Sequence, residues 1–175
     1  PSSRCGVSAK LLPKLTPSQV KQNKPFINKV KQVAANLDIK PEHLMGIMEI
    51  ESAYTFSPAV KNDLGYVGLI QFGEAAAHDL GTTTCALSKM TDVEQMDWVE
   101  KYFRLWKLKP KSPPSSLYTA VFLPAYTNKP DSFVFPEKYW AQNPALRDNS
   151  RADKAIWKGH LGKLVKNHAA NYVGM

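Results

Sequence analysis

Leu44-Met45-Gly46-Ile47-Met48-Glu49-Ile50-Glu51-Ser52 is the stretch whose reading decides the fold. Pro41 stands just ahead of it, where a first-turn proline opens a helix at little cost. Apolar residues then occupy nearly every face, as in a helix that belongs to the interior. Glu51 closes the run. The macrodipole opposes a negative charge at a helix C-terminus, so Glu51 gains nothing there from helix stability. A carboxyl in an apolar setting is held protonated, because burial disfavours the charged form. Glu51 is therefore a candidate proton donor near neutral pH. Glu49, two positions earlier, falls on a different side of the helix and reads as a solvent-facing residue.

Downstream come Ser57-Pro58-Ala59 and then Gly65-Tyr66-Val67-Gly68-Leu69-Ile70-Gln71-Phe72. With Glu51-Ser52 these segments, in this order and spacing, resemble the catalytic core of the soluble lytic transglycosylases and goose-type lysozymes. The pattern there is an apolar helix ending in Glu-Ser, an Asn-Pro-x-Ala-like turn, then Gly-x-x-Gly-Leu-Met-Gln. Residues 41 to 80 carry the resemblance, with Ile70 in place of the usual Met. It implies a mainly α, lysozyme-like single domain over residues 16–175, with at most a small β-hairpin beside the active-site cleft, preceded by a tail over residues 1–15.

The resemblance also implies a chemistry: cleavage of the β-1,4 bond between N-acetylmuramic acid and N-acetylglucosamine in bacterial peptidoglycan. A glycosidic oxygen leaves poorly until protonated, so an acid has to sit beside it. By resemblance Glu51 donates that proton and then, as carboxylate, takes one from the C6 hydroxyl of the same muramic residue. That closes a 1,6-anhydro ring without consuming water. Ser52 supports the glutamate or contacts substrate, or else bonds backbone at the helix end. Gly68 gives tight packing at the cleft floor, Leu69 belongs to the same motif, and Gln71 lines the sugar site, where an amide that donates and accepts suits acetamido and hydroxyl groups. Asp63 lies near the place of an aspartate that positions water in goose-type lysozymes. It is the possible second carboxylate of an inverting muramidase, and Asn62-Asp63 is equally a turn sequence. Glu74 sits at an expected helix N-terminus, where a negative charge is welcome in any case.

The chain departs from the family pattern farther on. An Ala-Tyr-Asn-Ala-Gly helix usually supplies a tyrosine that bonds the catalytic glutamate, but here Leu117-Tyr118-Thr119-Ala120-Val121-Phe122-Leu123-Pro124-Ala125-Tyr126 stands in its place. Phe122 aligns with the tyrosine and cannot make that bond; Tyr118 and Tyr126, about one turn to either side, are the alternatives. This form, followed by Tyr139-x-x-x-Asn143-Pro144, resembles phage lysins and virion-associated transglycosylases. The departure also keeps open an inactive, lysozyme-like wall-binding or structural module.

Composition agrees with one ordinary domain, of 175 residues, 43% hydrophobic and 22% charged; the resemblance implies that it acts as a monomer or as part of a virion. No apolar run is long enough for a membrane span, and no signal peptide is expected in this chain. Action at the cell wall would then depend on a removed signal, a holin or a virion. The formal charge of +8 favours a polyanionic partner such as the bacterial wall. Aromatics do not interleave with the lysines as in a stacking platform, so nucleic acid is not expected. His43, His78, His160 and His168 lack metal-ligand spacing, and neither metal nor organic cofactor is expected. Cys5 and Cys85 are either free or joined in a single bridge.

Helical periodicity predicts a helix from Thr16 to Leu37 that Pro25 interrupts, a helix or a turn entering one from Gly68 to Leu80, and another helix capped by Thr91 and Glu94 in capping-box style. It predicts a buried helix over 117–124 and two more helices through Tyr139, Trp140, Ile156, Trp157, Leu161 and Val165. Trp98, Trp106, Trp140 and Trp157 are expected to fill the core, unless one stands on the cleft rim to stack on a sugar.

Overall fold

The computed structural model describes residues 5–175, which are mainly helical. The N-terminal segment forms a short strand, β1 (Val7–Ser8), and Thr16 then caps α1 (Pro17–Gln22) through a reciprocal capping box with Gln19. The chain breaks at Asn23, whose side chain caps α2 (Lys24–Leu37) by accepting the Phe26 N–H at 3.4 Å. Pro25 thus lies in the first turn of a new helix, where its missing donor costs nothing. Asp38, at φ 52°, ends α2 in the left-handed conformation.

Pro41 opens α3 (Pro41–Glu51), whose Leu44 to Glu49 are all buried. It lies at the centre of the molecule, packed against α2 and against the last long helix, α8 (Lys158–Ala169), which also packs against α7 (Pro114–Phe122). Small residues allow these contacts. A Cβ on Gly46 would come within 2.8 Å of the Val165 carbonyl oxygen, and one on Gly162 within 3.0 Å of the Ser115 Cβ. The backbones of α3 and α8 therefore touch. Between α3 and α7 come β2 (Val60–Lys61), the short α4 (Glu74–Asp79) and α5 (Thr84–Ser88), and α6 (Asp92–Leu105), whose N-terminus carries the expected Thr91–Glu94 capping box. Of the two forms expected from Gly68, the structure has the turn entering a helix: Gly68 and Gln71 both take positive φ, and the helix begins at Glu74.

The small β element differs from a hairpin. β1 pairs in parallel with β2, with Val7 opposite Val60, and the chain after β2 folds back through isolated antiparallel bridges between Lys61 and Val67 and between Val67 and Phe72. One of its two strands, β1, comes from the segment expected to be a tail. Cys5 is bonded to Cys85 in α5, so this segment is tied to the domain at two places.

Two other expectations fail for clear reasons. Residues 124–157 hold short 3-10 turns instead of a further helix, and only α8 forms at the end. Pro124, Pro130, Pro136 and Pro144 recur too often for a helix to propagate. The segment is stapled instead by the tilted and edge-to-face rings of Tyr126, Phe133 and Phe135 and by the buried Asp148, which accepts from Ser150 Oγ at 2.6 Å and Trp157 Nε1 at 2.7 Å. The tryptophans do not fill the core. Trp106 is 43% exposed, and Trp98, Trp140 and Trp157 are half-buried under cations, with Lys101 Nζ 4.0 Å from the Trp98 ring. Among the described residues no helix is long and apolar enough to cross a membrane.

The bridge closes a loop of sequence separation 80, which in the chain-entropy model stabilises the fold by about 4.5 kcal/mol. Reduction should lower the melting temperature by roughly 10 °C. Circular-dichroism melts with and without a dithiol measure this, and unchanged melting would show that the bridge does not constrain the unfolded chain.

Candidate active site

Glu51 is the last residue of α3, and the packing of α3 against α8 and of α8 against α7 brings Tyr118 to it. The Tyr118 hydroxyl donates to Glu51 Oε2 at 3.2 Å. Burial pushes the Glu51 carboxyl up to about 7, against a smaller downward pull from that hydrogen bond. Burial first, and then the nearby carboxyl, raise the Tyr118 phenol well above its ordinary value, so it stays a donor. The arrangement is a carboxyl that holds or releases a proton near neutrality, oriented by one neutral hydroxyl.

The carboxyl opens on a cavity of about 320 Å³ that it shares with Asn62, Gln71, Phe122, Tyr139 and Asn143. Common walls at Leu64, Tyr66, Gln71, Val121 and Phe122 join this space to a second, of about 450 Å³, which reaches Phe72, Tyr102 and Trp106. Together they make one groove. Four amide side chains, those of Asn62, Gln71, Gln142 and Asn143, line the half that holds Glu51. The other half is more aromatic, and the half-exposed rings of Tyr66 and Trp106 stand along it.

One wall of the groove is the turn from Val60 to Phe72. Asn62 Oδ1 accepts from the Leu64 and Tyr66 N–H groups at 3.0 and 2.9 Å, which closes the tip. Gln71, at φ 58°, turns its Nε2 back onto the carbonyl oxygens of Gly68 and Val60 at 3.0 and 3.3 Å. Both amide hydrogens are thereby used, which leaves its carbonyl oxygen as the group able to meet a ligand. Behind the turn lies Gln95 of α6, fully buried. It accepts from Leu69 N–H at 2.8 Å and donates to Pro58 O and Leu87 O at 2.9 Å each.

These contacts redistribute the expected roles. Glu51, Gln71 and Phe122 line the groove, and of the two tyrosines offered as partners for Glu51 the structure selects Tyr118. Tyr126 instead packs on Phe133 and Phe135 and lines neither cavity. Ser52 is fully buried, lines neither cavity and accepts the Phe56 N–H at 2.9 Å, a bond to backbone at the helix end. Gly68 is kept small by Gln95, whose Oε1 would lie 2.4 Å from an added Cβ, and not by the groove floor. Leu69 is core. Asp63 is exposed in the turn and lines neither cavity. Glu74 lines the aromatic half and accepts from Thr84 Oγ1. Glu49 is the clearest reversal: it is 1% exposed and bonded to His168 and Tyr172.

Sequence reasoning missed Gln95, Asn62, Gln142 and the groove-lining role of Tyr102, whose hydroxyl donates to Ala120 O at 2.6 Å. Gln95 had a signal. It falls on the helical stripe of Val99, Tyr102 and Trp106, and a polar residue there needs partners.

No family model matches this chain. No curated protein matches it either.

The raised carboxyl makes two linked predictions. Because its folded pKa of about 7 exceeds the reference 4.5, the stability tied to its proton is whole below pH 4.5 and is lost as pH rises toward 7. Glu51→Gln should therefore stabilise the protein by about 2–3 kcal/mol at pH 8 and by almost nothing at pH 4. Urea unfolding at the two pH values checks this. Tyr118→Phe removes the bond that favours the anion, so carboxyl-resolved NMR should show Glu51 titrating at higher pH than in the wild type.

Proposed function

We propose that the protein is a peptidoglycan-cleaving enzyme, a lytic transglycosylase that acts on the MurNAc–GlcNAc β-1,4 bond with Glu51 as its acid and base. The observation that carries this reading is a lone acid in a groove: Glu51 is the only carboxylate among the described residues lining its cavity, and it is held protonable near neutral pH. The motif resemblance supplies the substrate class. The amide lining supports it, since Asn62, Gln71, Gln142 and Asn143 match the mixed donors and acceptors of an N-acetylated sugar chain.

In the proposed reaction the Glu51 carboxyl gives its proton to the glycosidic oxygen as the bond from C1 of the muramic residue breaks. The N-acetyl group shelters the cation. The C6 hydroxyl then bonds to C1, and its proton returns to Glu51, which restores the starting acid. A nucleophile borne by the substrate suits this cavity better than a water placed by Asp63, which stands exposed outside it. Tyr118 orients the carboxyl through both steps and keeps its own proton. Trp106 and Tyr66 offer ring faces for the sugar chain along the adjoining half.

Mass spectrometry of muropeptides released from purified walls, beside Glu51→Gln, tests the proposal. Glu51-dependent 1,6-anhydro ends are expected. Reducing ends would make the enzyme a muramidase, and no release from any wall type would favour a binding module. The free enzyme needs Glu51 protonated, so kcat/KM should fall as pH rises through about 7.

A further inference from the structure

Two residues before the acid, Glu49 is buried in a cluster that the reaction does not use. Its Oε1 lies 2.7 Å from His168 Nδ1, near the end of α8, and its Oε2 accepts from the Tyr172 hydroxyl in the turn that follows. A carboxylate that is 1% exposed is costly unless partnered, and an apolar side chain would fill the same space, so core packing alone does not account for this residue.

The chain just after Glu51 gives the cluster a task. Ala53, Tyr54 and Phe56 all have positive φ, at 53°, 68° and 46°. Residues with a Cβ enter that region only when their surroundings hold them there. The holding contacts lead back to the cluster. The Tyr54 N–H donates to the Glu49 carbonyl at 2.9 Å, the Tyr54 ring rests on the His168 ring at 5.7 Å, and the Phe56 ring meets the Tyr172 ring at 6.0 Å. Leu15 N–H donates to the Tyr54 carbonyl at 2.8 Å from the far side. Basic groups complete the setting: Lys21 Nζ lies 5.8 Å from the Tyr172 ring, and Lys14 lines the small cavity that His168 also borders.

We propose that Glu49, His168 and Tyr172 form a positioning group for Glu51. They clamp the last turn of α3 and the strained turn beyond it to the end of α8, and so hold the Glu51 carboxyl in place against Tyr118. The catalytic meaning of this clamp rests on the lytic reading; the placement of the carboxyl does not.

The test uses the full chain labelled with 13C-glutamate, as wild type, Glu49→Gln and Tyr172→Phe. NMR follows the Glu51 titration, and turnover on walls gives kcat and KM. When the clamp is loosened the carboxyl is less enclosed, and because burial outweighs the Tyr118 bond its midpoint should move down from about 7, by about one unit. At the same time kcat should fall about tenfold or more with KM little changed. Tyr172→Phe removes a single hydroxyl and keeps the ring contacts, so it carries the test if Glu49→Gln fails to fold. A midpoint and a kcat both unchanged in a folded variant would overturn the proposal. If the midpoint moves while the wild type cleaves no wall, the clamp stands and the lytic reading falls; if the wild type turns over and the midpoint stays fixed, the reverse holds.

Discussion

Everything in this molecule is arranged around a carboxyl at the end of a helix that is buried on all sides. Helix α3 has no solvent face over Leu44 to Glu49, so its C-terminus is delivered to the interior with the residue it carries. The helix dipole and the loss of water both oppose charge on Glu51. The fold tolerates this by offering a neutral donor, Tyr118, and among the described residues no cation is bonded to the carboxyl. A lysine or arginine in place of Tyr118 would have fixed the carboxylate as an anion and ended its use as an acid. The close approach of α3 and α8 at Gly46, and of α7 and α8 at Gly162, makes this geometry possible, because Tyr118 is brought within reach only if both pairs of helices pack tightly.

The two walls of the groove are stabilised in different ways. The wall that carries Asn62, Tyr66 and Gln71 is pinned by hydrogen bonds that converge from distant parts of the chain. β1 supports β2, Gln95 ties together Leu69, Pro58 and Leu87, and the Cys5–Cys85 bridge joins the segment before β1 to α5. The opposite wall joins Phe122, the last residue of α7, to Tyr139 and Asn143 in proline-broken turns that depend on ring packing and on Asp148. Hydrogen bonds to Ser150 first, and then to Trp157, hold that carboxyl down to about 2. Its contribution is complete above the ordinary aspartate range and is lost as pH falls toward 2, far from the range in which Glu51 titrates.

What was legible in the sequence follows from how local each signal is. Helix α3, the N-cap at Thr16 with its first-turn proline, the capping box at Thr91 and the interruption at Pro25, which falls at Asn23, are encoded by residues within a few positions of one another, and they form close to where they were read. The acid at Glu51 was legible because an apolar helix leaves its last residue little choice of setting. Glu49 was misread for the converse reason: its partners lie 119 and 123 positions away, and nothing local separates a solvated glutamate from a clamped one. Ser52 and Gly68 match a motif, yet their contacts run to Phe56 and Gln95 instead of the groove. A motif records which residues occur together, and only packing shows which side of the backbone they serve. The tyrosine partner was narrowed to Tyr118 or Tyr126, and Leu123, at φ −144° ahead of Pro124, ends α7 before Tyr126 can share its face.

One asymmetry in the groove bears on how a single acid suffices under the proposed reading. The half around Glu51 is lined by neutral amides, and the carboxylates Glu74 and Asp79 lie in the aromatic half. A hydrolytic water needs a base on the face opposite the leaving group, and among the described residues no second carboxylate or histidine lines the Glu51 cavity to be that base. The four amides can grip acetamido and hydroxyl groups without changing the local charge, and so without lowering the pKa of Glu51. Any positive group added to improve the hold on an anionic wall would work against the acid at this point. The excess of basic residues, a formal +8 over the whole chain, can attract such a polymer from the outer surface while the cavity itself stays uncharged apart from the one proton it transfers.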